Sequence, residues 1–241
     1  MKMIFFILCA SLILSGANLA EAALLADWTF ETSVPTTSGP HAAELGDNAA
    51  SSFASGFHAD GAAVYSNPTG NGSSESFSAT RWAVGDYWQF TTSSLGYQGV
   101  TIAWDQGGSS TGPRDFVLQY SVNGGGFTQF GSPYTVLDVV TTGTGENWLT
   151  GTPRVNSHYS VDLSLIAALD NASGISFRLV DNSTTAINGG TVGTAGTDRV
   201  DNFAINATPI PEPVTWALIV FGTMFGTVQL GRLFRRRFAA C

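Results

Sequence analysis

The chain has 241 residues, about one and a half average domains. Only 12% of it is charged, and 10 Lys plus Arg stand against 18 Asp plus Glu for a net charge of −8. Between Ala23 and Ile210 five arginines face sixteen acids; so acidic a body repels phosphate backbones and excludes a nucleic-acid partner. Its poverty in Lys, Glu and Leu, beside abundant Gly, Thr and Ser, also argues against a helical architecture.

At the N-terminus, residues 1–22 read as a secretory signal helix. Lys2 is the positive region, Met3 to Leu14 is an almost unbroken apolar run, and Ala20-Glu21-Ala22 supplies the small-x-small pattern for cleavage. Cleavage after Ala20 is the neighbouring alternative. The run falls short of the ~20 residues that a spanning helix needs. The partners this implies are the general secretion machinery and signal peptidase, and Cys9 leaves with the signal.

The body, residues 23–207, predicts short strands between turn signals. Leu24, Ala26, Trp28 and Phe30 alternate with Leu25, Asp27 and Thr29. Further strands are expected at 76–82, 86–91, 99–105, 115–122, 127–130, 134–139, 157–163, 175–180 and 199–205. Asn123-Gly124-Gly125-Gly126 marks a hairpin, because these residues accept the positive φ of a tight turn. Residues 164–169 are the one expected helical turn, and 32–63 and 181–197 read as loops. About ten strands without a long amphipathic helix predict an all-β fold, an antiparallel β-sandwich. Both cysteines lie near the chain ends, so this domain holds no disulfide.

Phe30-Glu31, the run Phe116-Val117-Leu118-Gln119-Tyr120-Ser121 and the run Arg199-Val200-Asp201-Asn202-Phe203-Ala204-Ile205 resemble the jelly-roll domains of carbohydrate-binding modules. That resemblance implies a structural calcium joining the first and last strands. Glu31 and Asp201 occupy the matching positions, with Asp198 and Asn202 as further oxygen donors. The alternative is that Asp201 caps a turn or faces solvent. Trp82, Trp88, Trp104, Trp148 and Tyr159 are candidate platforms for sugar rings. Trp88 and Trp104 share the parity of core positions, whereas Trp148 in the loop 143–153 is the one expected at the surface.

No catalytic residue emerges. His41, His58 and His158 lack metal-ligand spacing, no G-x-S-x-G elbow is present, and sixteen acids do not single out a hydrolytic pair.

The C-terminal stretch 208–238 is the most specific. Thr208-Pro209-Ile210-Pro211-Glu212-Pro213 breaks regular structure, residues 214–234 form an apolar segment long enough for a transmembrane helix, and Arg232, Arg235, Arg236 and Arg237 stop it on the inner side of the membrane. Pro211-Glu212-Pro213 before a lone span and an arginine cluster resembles the PEP-CTERM sorting signal of bacterial surface proteins. The resemblance implies an exosortase as partner and processing near the Pro-Glu-Pro. It also implies a membrane-anchored precursor whose ectodomain reaches the cell surface or extracellular matrix. Cys241 departs from the simplest form of that pattern. Three roles follow for the mature domain: a structural or adhesive part of a polysaccharide (biofilm) matrix, a lectin-like glycan-binding module, or a polysaccharide hydrolase.

Overall fold

Glycine, serine and threonine punctuate the body, and between them side chains alternate in a two-residue period, the repeat of a strand with one buried face. The structure, a computed structural model, describes residues 21–211 together with Phe221 and Met224. In chain order the strands are β1 (Ala23–Trp28), β2 (His41–Ala42), β3 (Phe53–Phe57), β4 (Tyr65–Ser66), β5 (Phe77–Ala79), β6 (Tyr87–Thr92), β7 (Tyr97–Gly108), β8 (Asp115–Val122), β9 (Thr128–Thr135), β10 (Leu137–Asp138), β11 (His158–Asp162), β12 (Ile175–Asp181) and β13 (Asp198–Pro209). Six of them form an antiparallel sheet in the order β2-β3-β6-β12-β8-β9. The other seven form a second sheet, β10-β7-β13-β5-β4, with β1 also on β13 and β11 also on β7.

The two sheets bury their inner faces against each other, which makes the molecule the all-β sandwich that the alternation predicts. Phe90 of β6 meets Phe203 of β13 with ring centroids 3.6 Å apart and planes 4° from parallel. Trp28 of β1 packs edge-on to both, at 5.2 and 6.1 Å. Trp88, Phe77, Phe116 and Phe177 complete a fully buried aromatic core. With no cysteine between Cys9 and Cys241, this core stands in for disulfides. Residues 22–208 form one compact unit around it.

Most expected strands are found, with shifted ends. Residues 127–139, read as two strands, run as β9 almost without interruption before β10. The strand expected at 76–82 stops at Ala79, because Arg81 takes a φ of +61° and turns the chain. The turn at Asn123 and Gly124 has φ of +51° and +74°, the pair of positive values that a tight hairpin requires. The helical turn is a single 3-10 turn at Ala167–Leu169.

The stretch 32–63 is a correction. Read as loop, it contains β2 and β3. In β3 the usual polarity is inverted: Phe53 and Phe57 face outward, 44% and 49% exposed, while Ala54 faces the core. A β-carbon on Gly56 would stand 2.8 Å from the Trp88 ring and 2.7 Å from the Tyr65 ring. The tryptophan fills the space that a larger β3 residue would need, so the strand carries its bulk on the outside.

The edges of the six-stranded sheet are short or interrupted. β2 has two residues, and β9, at the opposite edge of the six-stranded sheet, carries Pro133. The free side of β1 is bonded by residues 45–48, with Asp27 N donating to Leu45 O and Asp47 N donating to Leu24 O.

Ala20, Glu212, Pro213, the segment 214–234 apart from the helical positions Phe221 and Met224, and Arg232, Arg235, Arg236 and Arg237 lie outside the described residues. Among the described residues no helix is long and apolar enough to cross a membrane. Ala22 and Pro211 are both exposed.

Candidate functional site

The six-stranded sheet has an outer face that the sequence parity already implies. Trp88 and Phe90 point inward, so Tyr87, Gln89 and Thr91 point outward. Cα pairing sets Ser55 opposite Gln89, Gln89 opposite Arg178, Arg178 opposite Gln119 and Gln119 opposite Gln129. Five neighbouring strands thus hold one row of hydroxyl, amide and guanidinium side chains. A flanking row runs from Phe53 through Thr91 and Ser176 to Ser121, and another from Phe57 through Tyr87 and Val180 to Val117.

Aromatic rings brace this polar row. The Phe57 and Tyr87 rings stack at 5.1 Å and 15°. The Arg178 guanidinium lies between two rings, 3.8 Å from the Tyr87 centroid and 3.7 Å from that of Phe127. Arg178 Nε donates to Gln89 Oε1 at 2.8 Å, which fixes the plane of the fork. Burial draws the guanidinium below its ordinary pKa, yet an arginine at this depth stays cationic. Thr91 and Ser176 share a hydroxyl hydrogen bond of 2.9 Å, and Gln129 Nε2 donates to Gly131 O at 3.1 Å. The face therefore offers fixed donors and acceptors beside partly exposed aromatic carbon. That combination suits a polyol with apolar patches on its rings.

A cavity of about 250 Å³ opens beside this face, lined in part by Phe57, His58, Asp60 and Tyr65. His58 Nδ1 lies 3.3 Å from an Asp86 oxygen, and the ring packs 4.4 Å from Trp82. Burial holds the imidazole below its ordinary pKa, against the opposing pull of Asp86. Asp86 accepts from Ala59 N and Ala83 N, each at 2.8 Å, so the pair ties loops together.

The aromatic platforms expected from sequence need correction. Trp148 is only 4% exposed: its loop folds back, Trp148 N donates to Val139 O at 2.9 Å and the indole donates to Ser157 Oγ at 2.8 Å. Trp82 is 6% exposed, edge-on to Trp88, with its indole donating to Ala79 O. Tyr159 is half-buried, stacked on Trp104 at 5.5 Å, and its hydroxyl donates to Thr135 O. Trp88 and Trp104 are core residues, as their parity predicts.

The four residues proposed for calcium do not converge on one point. Glu31 Oε1 accepts from Ser74 N and Glu75 N, at 2.9 and 2.8 Å. Asp201 Oδ2 accepts from Asn71 N and Ser73 Oγ, at 2.8 and 2.6 Å. Asn202 turns its amide nitrogen, not its oxygen, to Asp201 and Asp105. Asp198 sits in the core, where the Trp88 indole and the Gln106 amide donate to Oδ1 at 2.7 and 3.1 Å. Protein donors occupy Glu31 Oε1, both oxygens of Asp201 and Asp198 Oδ1, whereas Asp198 Oδ2 is buried without a partner. Among the described residues no group of three His, Cys, Asp or Glu side chains is placed to hold a metal.

Sequence reasoning missed the outer face because it searched for tryptophan. The signal was present in the polar partners of each alternating run: Gln89, Gln119 and Arg178 are the large polar residues in mid-strand positions.

No family model matches the chain, and no curated protein matches it. Among solved structures it is similar to the K2 cleaved adhesin domain of Lys-gingipain, at 17% identity and a TM-score of 0.41, covering 76% of this chain and 99% of that one. It is similar to TmCBM61 in complex with β-1,4-galactotriose, at 10% identity and a TM-score of 0.38, covering 73% and 92%. It is also similar to the CBM22-1–CBM22-2 tandem domain of Paenibacillus barcinonensis Xyn10C, at 12% identity and a TM-score of 0.46, covering 82% and 49%.

Proposed function

We propose that this chain is an exported bacterial surface protein whose sandwich adheres to extracellular polysaccharide through the outer face of the six-stranded sheet. The observation that carries the reading is the row Ser55, Gln89, Arg178, Gln119 and Gln129, flanked by Phe57, Tyr87 and Phe127. Nothing in the packing of the core asks for these side chains, which face away from it. A polysaccharide presents repeating hydroxyls to such a row and apolar ring faces to its aromatics.

Native electrophoresis through gels containing a panel of polysaccharides tests the binding. The double variant Gln89→Ala with Gln119→Ala is expected to weaken retention about tenfold or more, since each lost hydrogen bond is worth about 0.5–1.5 kcal/mol. Its melting temperature stays within about 2 °C of the parent, because both side chains face outward. Retention unchanged by the pair would remove the face from consideration.

Delivery belongs to the two ends in this reading. Residues 1–22 direct export, and Pro211-Glu212-Pro213, the span 214–234 and Arg232, Arg235, Arg236 and Arg237 hold the precursor until an exosortase cuts near the Pro-Glu-Pro. Intact mass of the protein recovered from its host's surface is expected to correspond to residues 23 to about 211, alone or with an added glycan or lipid. A mass that keeps the arginine tail would make it an uncut membrane-anchored protein.

A further inference from the structure

Among the five arginines between Ala23 and Ile210, Arg81 pairs with Asp60 at 3.1 Å and Arg114 with Asp115 at 2.8 Å. Arg199 is buried in the field of Asp198 and Asp138, with one Nη donating to Thr69 O. Arg154 lies in a loop away from the outer face, its Nε donating to Asn147 O. Arg178 is the cation of that face. Its Nε is spent on Gln89, and its two Nη groups have no protein acceptor among the described residues.

The neighbourhood makes that isolation unusual. Sixteen acids occupy this stretch of chain, yet the outward positions of β3, β6 and β12, and those of β8 beyond its first residue, carry none. Asp115, at the start of β8, is already engaged by Arg114 and by Ser183. A face whose one carboxylate is already paired, with one ring-braced guanidinium, leaves a site for an opposite charge. The flanking rings keep the fork flat and partly dry, which strengthens any ion pair formed there. The fork also matches a planar carboxylate in a two-point geometry that neutral hydroxyls do not fill.

We propose that the outer face selects a polysaccharide bearing carboxylate groups, a uronate-type polymer, with Arg178 as the residue that reads the charge. This rests on the reading of that face as a glycan-binding surface. The amide row engages sugar hydroxyls on either side, and the acidic remainder of the domain limits contact to this one face.

Native electrophoresis of the full chain in mild detergent tests it, with gels containing polygalacturonate, neutral galactan or dextran sulfate. Polygalacturonate is expected to retain the protein with a dissociation constant about tenfold or more below that of galactan, weakening as salt rises. Arg178→Gln and Arg178→Lys are expected to abolish that preference, the lysine because a point charge lacks the planar fork. Melting curves of both variants keep the comparison to folded protein. Equal retention by polygalacturonate and galactan overturns the carboxylate proposal and leaves the glycan-binding face intact. Equal retention by dextran sulfate overturns it too, as charge alone would suffice. Retention by none of the three overturns both readings.

Discussion

Between pH 5 and pH 8 the thermal unfolding midpoint is expected to fall by about 10 °C, because buried carboxyls must give up protons that the fold retains. Burial, reinforced by the charges of Glu44 and Asp105, pushes Asp27 up to about 6. Burial, with Asp86 and Asp115 nearby, pushes Asp181 up to about 7. Asp201 also reaches about 7 through burial and Asp105, although Ser73, Asn71 and Asn202 donate to it. Asp198, fully buried beside Asp181, lies well above the usual carboxylate range.

In the unfolded chain these groups ionise near 3.9, so between about pH 4 and 7 the folded state binds more protons. Their stabilisation is complete below the unfolded value and is lost as pH rises through the folded ones. His58 opposes this: its folded pKa is depressed, so its contribution is lost as pH falls below the usual imidazole range. The carboxyls outweigh it in number. At about 1.4 kcal/mol per pKa unit they amount to roughly 7 kcal/mol over this window, and relaxation of the protein and water around the carboxyls reduces that to about 3–4 kcal/mol. For a domain of this size each kcal/mol moves the midpoint by about 2–4 °C. Calorimetry at pH 5, 6.5 and 8 measures the fall, and Asp181→Asn is expected to flatten it. A midpoint that holds level or rises would mean that these groups are already ionised at pH 5.

Phe203→Ala is expected to cost about 3–5 kcal/mol, lowering the midpoint by about 10–15 °C. Its ring is fully buried and closes the contact between the sheets against Phe90, Trp28 and Trp104. Phe57→Ala removes the same atoms from a residue 49% exposed and is expected to cost within about 0.5 kcal/mol. Denaturant unfolding of the two variants compares them directly. Similar losses in both would mean that β3 does not run with its phenylalanines outward.

The same two phenylalanines explain how far the sequence could be read. Phe203, Ile205 and Ala207 alternate with outward residues after Asn202, whose φ of +50° breaks the period from Val200, so parity reads the second half of β13, as it reads β6, the middle of β7 and β12. Phe57 lies in Phe53-Ala54-Ser55-Gly56-Phe57, where the large side chains face water and the small ones face Trp88. A rule that sends large apolar residues inward cannot find such a strand. The polar row on the outer face was hidden for a related reason. Gln89 and Arg178 are 89 residues apart in order and become neighbours only through the β6–β12 pairing. Trp148 misled in the opposite direction, since a glycine-rich loop suggests exposure until the backbone bonds that fold it back are known.

The blunted edges of the six-stranded sheet have a consequence for crowding. Proteins displayed densely on a surface meet one another constantly, and an open strand edge would let neighbouring copies join their sheets into fibres. Here one such edge is two residues long and the other carries Pro133, which withholds a backbone donor where a docking strand would need it. Copies of this domain can therefore stand close together without joining their six-stranded sheets edge to edge, which leaves the broad outer face of each sheet open.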